Sequence, residues 1–468
     1  MKKLLGLPIK TGLIFLIVFS IAFTIYCFAW PKVPILDGDS SSYIDLSVKL
    51  KNGIINSPQF RLIGYPLFLI ITGSSPKPTR NIFYVSIILH FVSIWLLSYI
   101  IFNMNINNKL KIIYIFCAVL LLPMYVESSG IISTENLAEF TLAIVFFCLC
   151  CWYRNGRQIF ILLGGIFCAV SLLVRPTYIL LWLALCPVLL ISKKILPAER
   201  YKLKGNKHLI TAIFLLIFPS LLTIGGYYVY NYSKFGYLGI TPRVGFQLFT
   251  KNLKYLEDIP DQYAKLREML ISERDKSLIE RGSSHTGVQF VFGKAGSINK
   301  IFAKATGKSP EELDREMLKL NLKLIAKRPL EYLYSVATSL VSIWFPSMTK
   351  LSFGNLRSVQ LLLSLIHFVM VGIFFLYVAF FIVREIIAAI IKYNLTYSYL
   401  SCSRLSMHPY DHMVAITGIM VIIYTIIISA TVDVGAARHL KPVLMLIWLL
   451  NLSFIGQWHK VPNASTTC

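Results

Sequence analysis

Charge is what this chain has least of. Only 15% of its 468 residues are charged, 22 acidic against 46 basic, while 56% are hydrophobic and the mean hydropathy is +0.67. A soluble protein of this length could not cover so much apolar surface, so the composition excludes one and leaves a polytopic helical membrane protein. Zinc-finger spacing, a P-loop and the Rossmann glycine pattern are all missing, which removes the common metal-knuckle and nucleotide signatures. The nine cysteines form neither a disulfide framework nor a metal knuckle; most, such as Cys117, Cys148, Cys150, Cys151, Cys168 and Cys186, lie in apolar runs and read as small hydrophobes. No internal repeat or low-complexity segment stands out. The formal charge of +24 would raise nucleic-acid binding in a soluble protein. Here it fits cytoplasmic loops and contacts with anionic membrane lipids, and no nucleic-acid partner is expected.

What the chain has instead is a succession of long apolar runs. Met1 to Lys10 is basic, and Thr11 to Trp30 is almost wholly apolar, long enough to cross a ~30 Å hydrocarbon core at about 1.5 Å per residue. It lacks a convincing small-x-small cleavage site, and Trp30-Pro31 reads as an interfacial anchor, so the segment is expected to be a span and not a signal peptide. Basic residues stay in the cytoplasm, so the chain emerges outside into a loop over 31–80. Further spans are expected at 81–102, 112–126, 135–152, 158–174, 177–192 and 208–230. Lys109, Lys111, Arg154, Arg157 and the cluster Lys193 to Lys207 mark the cytoplasmic turns, while Glu127 and Arg175-Pro176 mark outer ones.

Residues 231–329 differ: charge density rises and apolar runs shorten. Ser309-Pro310-Glu311-Glu312 is a helix start, and Leu313, Met317, Leu320 and Leu324 follow at helical spacing, so one face can pack. This predicts an α-helical insertion on the outer side. Spans are then expected at 358–383, 412–431 and 442–457. The short run 330–346 either spans or lies at the interface; with 384–411 in the cytoplasm, it must not cross fully. The expected fold class is an all-α polytopic bundle of roughly 10–11 transmembrane helices. Its parts are an N-terminal module 1–230, the insertion 231–329 and a C-terminal module 330–468.

Leu36-Asp37-Gly38-Asp39-Ser40-Ser41-Ser42-Tyr43 places two carboxylates just past the first span. An acidic pair at the outer membrane surface, away from ATP, suits chemistry on a lipid-linked substrate. Tyr43, Leu46, Val48 and Leu50 suggest a short amphipathic helix closing at Lys51-Asn52-Gly53. Gly64-Tyr65-Pro66 then reads as a turn feeding a second helix. Arg61 and Arg175 are candidates to grip a phosphate through a guanidinium fork; the alternatives are a snorkelling interfacial arginine for Arg61 and a topology-setting charge for Arg175. Glu135 either binds substrate or favours the positive end of its helix. His90 and His367 read as hydrogen-bonded core residues, and Tyr227, Tyr228 and Tyr230 as an aromatic belt.

The order of these features resembles a known family. An acidic residue four before a tyrosine in the first outer loop, a following Gly, and Arg61-Leu62-Ile63-Gly64-Tyr65-Pro66-Leu67-Phe68-Leu69 are similar to the polyprenyl-phosphate-sugar-dependent glycosyltransferases of the GT-C superfamily, of the aminoarabinose and protein-mannosyl transferase type. Ser133-Thr134-Glu135, Leu173-Val174-Arg175-Pro176, Asn231-Tyr232-Ser233-Lys234-Phe235-Gly236 and Arg438-His439-Leu440-Lys441-Pro442 extend the resemblance over most of the chain. Two departures stand out: Ile63 where the family commonly has Pro, and Arg438-His439 where it has an Arg-Tyr pair.

The resemblance implies a GT-C-like bundle with outer juxtamembrane helices in a bacterial inner membrane. Its activity would be inverting transfer of a monosaccharide from an undecaprenyl-type phosphate donor to a glycan or lipid acceptor, such as O-antigen or lipopolysaccharide, on the periplasmic side. Asp39 would be the general base, with Asp37 as its partner. Arg61, Arg175 and Arg438 would bind the donor phosphate, and Tyr43, Tyr65, Glu135 and His439 would bind substrate or shape the site. Asp39 is equally suited to cap the helix that follows it, and Arg438-His439 to form an interfacial basic pair. No cofactor is required, although the Asp37/Asp39 spacing is also suited to a divalent cation. Two other activities share this setting: a lipid-linked glycan polymerase or ligase, and a flippase or transporter for a lipid-linked sugar. The latter would place charges along a path through the bilayer.

Overall fold

The computed structural model describes residues 3–4, 7–8, 13–14, 16–21, 23–24, 34, 36, 39–109, 111–112, 132–196, 205–281, 297–344, 357–394, 408–432 and 440–458. Among these, the one strand pairing is two residues long, Lys3–Leu4 against Leu7–Pro8; everything else that is regular is helical, as the fold class requires. Among the described residues, six helices are long and apolar enough to cross a membrane, and Gln158–Val174 and Lys441–Ile455 are shorter apolar helices. The chain is a multi-pass membrane protein. Half of the expected span at 11–30, nearly all of 112–126 and the turn at Glu127 fall outside the described residues.

Short helices α1 (Ser40–Lys51) and α2 (Gly64–Ile71) precede the long α3 (Asn81–Asn103). Helix α4 (Glu135–Asn155) turns at Gly156, whose φ of 65° is open to glycine at little cost, into α5 (Gln158–Val174). A single 3-10 turn, Pro176–Tyr178, leads from α5 to α6 (Leu181–Ile195), followed by α7 (Gly205–Phe235). Arg175, just before the proline, is extended at φ −141° and ψ 122°, the region that proline imposes on its predecessor.

Side-chain bonds tie the helix ends into two layers. At one end the Arg154 guanidinium reaches Asn103, Gln158 donates to the His208 carbonyl at 2.7 Å, and Asp411 accepts from the Asn105 N–H at 3.1 Å. Lys109, Lys193, Lys194 and Lys207 belong to this end. At the other end Ser40 donates to the Ile132 carbonyl at 2.9 Å, and Tyr332 to the Thr431 carbonyl at 2.9 Å. The candidate site lies in this second layer.

Between α7 and the C-terminal helices come α8 (Val244–Asn252), α9 (Ala264–Arg281), α10 (Ser297–Thr306) and α11 (Pro310–Lys327). They share an apolar core of their own in which Phe246, Phe249, Phe302, Leu313, Met317, Leu320 and Leu324 are buried. The helix start expected at Ser309 is a full capping box: Glu312 N–H donates to Ser309 Oγ at 3.4 Å, and Ser309 N–H to Glu312 Oε2 at 3.1 Å.

Helix α12 (Pro329–Trp344) begins in the site layer, where Tyr332 meets Thr431, and its described residues reach the middle of α13 (Arg357–Asn394). There the Trp344 ring lies 5.6 Å from Phe374, and His367 Nε2 is 3.0 Å from the Trp344 carbonyl. Arg384, further along α13, lies in the opposite layer beside Glu385, whose carboxylate is 3.2 Å from His412 near the start of α14 (Pro409–Val432). Helix α15 (Leu444–Trp458) closes the described chain.

Candidate functional site

The first turn of α1 builds half of the site. Asp39 stands at the N-cap position, but its side chain makes no capping bond; its carboxylate instead meets the Arg61 guanidinium. Arg61 is gripped along its whole head. Its Nε donates to Ser42 Oγ at 2.9 Å, its Nη1 to Tyr43 Oη at 3.1 Å, and its carbon lies 4.5 Å from the Tyr43 ring centre. Ser42 Oγ in turn donates to the Asp39 carbonyl at 2.7 Å. These partners fix the Arg61 head against the first turn of α1. Of the pair, Arg61 is the more enclosed, at 13% side-chain exposure against 31% for Asp39.

The floor beneath α1 is aromatic. Tyr65 is buried and meets Tyr43 edge-on at 5.0 Å between ring centres. Helix α2 reaches this position because residue 64 is glycine: a Cβ there would stand 2.6 Å from the Leu173 carbonyl, at the end of α5 next to Arg175. Ile63, standing where the family pattern has Pro, uses the N–H that proline lacks, donating to Tyr227 Oη at 3.2 Å. Tyr227 is therefore half-buried and holds the α2 start, in contrast to the expected belt; Tyr228 and Tyr230 are exposed as a belt requires.

The other half comes from the α4 start and the α5–α6 turn. Glu135, in the first turn of α4, accepts from Arg175 Nη1 at 3.3 Å, with both side chains at or below 10% exposure. One turn further along α4, Glu139 is 2.8 Å from His90 Nδ1 within the bundle, which makes His90 the hydrogen-bonded core residue expected. Asp39, Tyr43, Arg61, Ser133, Thr134, Glu135, Arg175, Pro176 and Thr177 line one open cleft. The sequence motifs from four separate stretches thus converge. Tyr65 lies below the cleft and does not line it.

Two lining residues had no place in the sequence reading: Arg243 and Gln247, from the insertion. Asn231 explains how they arrive. Its side-chain amide donates to the Gly239 and Ile240 carbonyls at 2.6 and 3.0 Å, turning the chain back after α7 so that Thr241-Pro242-Arg243 enters over the cleft. Gly236 completes the turn at φ 63°. With the Gln247 amide oxygen turned toward it, Arg243 donates through Nη2 and Nε at 3.2 and 3.1 Å. The available signal was an arginine in a Pro-Arg step just before an amphipathic helix, together with the Asn231 motif upstream.

Asp37, Arg438 and His439 lie outside the described residues, and with them the second ligand of the Asp37/Asp39 cation site. Among the described residues no cluster of three or more His, Cys, Asp or Glu side chains could hold a metal ion.

Chemically, the cleft presents three guanidiniums and two carboxylates at the edge of an apolar bundle. Such a site can bind an anionic headgroup while its tail stays in lipid, and it offers a partly exposed carboxylate beside the bound anion.

No family model matches the chain, and no curated protein does. Among solved structures it is similar to the archaeal oligosaccharyltransferase AglB from Archaeoglobus fulgidus, in complex with an inhibitory peptide and a dolichol-phosphate. That likeness covers 94% of this chain and 50% of the other, at TM-score 0.46 and 11% identity. It is also similar to ArnT from Cupriavidus metallidurans bound to undecaprenyl phosphate, over 95% of this chain and 78% of the other, at TM-score 0.36 and 10% identity. The chain spans about half the length of the oligosaccharyltransferase it matches.

Proposed function

We propose that this protein is a membrane-embedded glycosyltransferase of the polyprenyl-phosphate-dependent kind. It would move a monosaccharide from an undecaprenyl-type phosphate to a cell-surface glycan or lipid acceptor. The observation that carries this reading is the meeting of Asp39–Arg61 with Glu135–Arg175 and Arg243 in one cleft at a single end of the bundle. A flippase would instead distribute its charges along a path across the membrane.

The chemistry follows from the arrangement. Attack of an acceptor hydroxyl on the anomeric carbon breaks the bond to the phosphate oxygen, and the lipid phosphate leaves as an anion. Asp39 takes the hydroxyl proton as attack proceeds. Arg61 aims the Asp39 carboxylate, and Arg61 and Arg175 neutralise charge gathering on the phosphate. Attack from the face opposite the phosphate inverts the sugar. Glu135 holds Arg175 in the cleft and is a positioning group in this scheme. The basic residues of the opposite layer support an orientation with that layer in the cytoplasm and the cleft on the outer, periplasmic side of a bacterial inner membrane. Tyr43 would face the sugar, Asp37 and a divalent cation would assist Asp39, and Arg438 with His439 would close the site from the last loop.

Purified protein in lipid nanodiscs, given a panel of undecaprenyl-phosphate monosaccharides, tests the reading. Consumption of a monophosphate-linked sugar with release of undecaprenyl phosphate is the expected result. Activity only on a pyrophosphate-linked oligosaccharide would replace it with the polymerase or ligase reading.

A further inference from the structure

The cleft's third arginine is delivered by the insertion, and the way α8 is held says how. Arg243 occupies the N-cap position of α8 without supplying a side-chain cap. The helix start is capped from elsewhere: the Gly245 and Phe246 N–H groups donate to Asp314 Oδ1 at 2.8 and 3.4 Å. Asp314 belongs to α11, is 4% exposed, and places its carboxylate at the positive end of α8. Two turns along α11, Asn321 donates to the Gly245 carbonyl at 2.7 Å and accepts from Asn252 at 2.8 Å, so one helix holds both ends of the other. Gly245 permits the close approach: a Cβ there would fall on the Asp314 carbonyl and stand 2.8 Å from the Leu318 nitrogen. Gln247, one helical turn after Arg243, then buttresses the guanidinium.

We propose that Asp314 is a positioning residue for the cleft: by capping α8 it sets Arg243 and Gln247 against the bound anion, and so makes the insertion a working wall of the site. That the anion is a lipid-linked phosphate rests on the transferase reading. The latch itself does not.

The test uses full-length protein in nanodiscs with two readouts. Spin labels at Gln247→Cys and Thr177→Cys, on otherwise cysteine-free protein, report the insertion-to-bundle distance without any ligand. Binding of undecaprenyl phosphate reports the consequence. We expect one narrow distance in the parent, a broadened one in Asp314→Ala, and a narrow one again in Asp314→Asn, which keeps the oxygen acceptor. Gly245→Ala, which forces α8 from α11 and leaves Asp314 in place, should also broaden it; this arm carries the test if Asp314→Ala fails to fold. In the label-free protein, Asp314→Ala should weaken lipid-phosphate binding about tenfold, as Arg243→Ala does, which is the scale of one charge-assisted bond. The double variant should bind no worse than Arg243→Ala alone, since both changes remove the same contact. An unchanged narrow distance in Asp314→Ala and Gly245→Ala overturns the proposal, as do additive losses in the double variant. If the distances respond but the parent does not bind undecaprenyl phosphate, the positioning role stands and the transferase reading falls.

Discussion

On the bundle side of the cleft, each arginine is bonded directly to a carboxylate at a helix start, Arg61 to Asp39 and Arg175 to Glu135. On the insertion side Arg243 is buttressed by an amide, and the carboxylate that governs it, Asp314, touches only the backbone of its helix among the bonds that place it. The first wall is built by charge pairing, the second by docking one helix on another. Damage to the first should therefore appear as an exposed electrostatic debt, and damage to the second as lost geometry.

Arg175 gives the largest contrast. Arg175→Ala removes the arginine paired with buried Glu135 and should destabilise the protein by about 3–5 kcal/mol, besides suppressing transfer. Adding Glu135→Ala should recover most of the melting temperature and none of the activity. A single variant as stable as the parent would remove the charge-pairing account of this wall.

Asp314 provides the matching probe on the other side. Burial pushes its carboxyl up to about 6 from 3.8, so the folded insertion binds a proton that the unfolded chain does not. Ionisation then costs stability as pH rises through 6, by roughly 3 kcal/mol, and the cost is gone near pH 4. Tyr237 from the turn after α7 faces this group, with Arg315 and Glu311 of α11 close to Tyr237. Asp314→Asn should melt above the parent at pH 7.5, with the gap closing below pH 6. A gap independent of pH would contradict the assignment.

The smallest effect belongs to the seam near Arg61. Tyr227→Phe removes the acceptor for the Ile63 N–H and should cost about 1 kcal/mol while leaving transfer within a few-fold of the parent. A large loss of activity would mean that Tyr227 serves the substrate and not the fold.

Much of the bundle wall was legible in the sequence because its residues sit in short motifs at predictable helix ends. Asp39-to-Tyr43, Arg61-to-Leu69 and Arg175-Pro176 each carry their own turn or cap, so chemistry and local structure are written together. The convergence of Glu135 on Arg175 was not legible, since it depends on which helices pair across forty residues. Arg243 and Gln247 were missed for the same reason in stronger form. Their place is set by Asn231 before them and Asp314 some seventy residues later; the first contact is local and part of a motif, and the second has no local signature. The start of the helix at 310–327 was legible from Ser309-Pro310 and the acids that follow, yet nothing in it announced that Asp314 would cap a different helix.

The central claim, that Asp39 removes the acceptor proton while the arginines hold the departing phosphate, is tested most directly by single-turnover transfer in Asp39→Asn. With an undecaprenyl-phosphate sugar already bound, the variant should hold donor within a few-fold of the parent yet release lipid phosphate about 100-fold more slowly or worse. Release at the parent's rate by a well-folded Asp39→Asn protein would contradict the account.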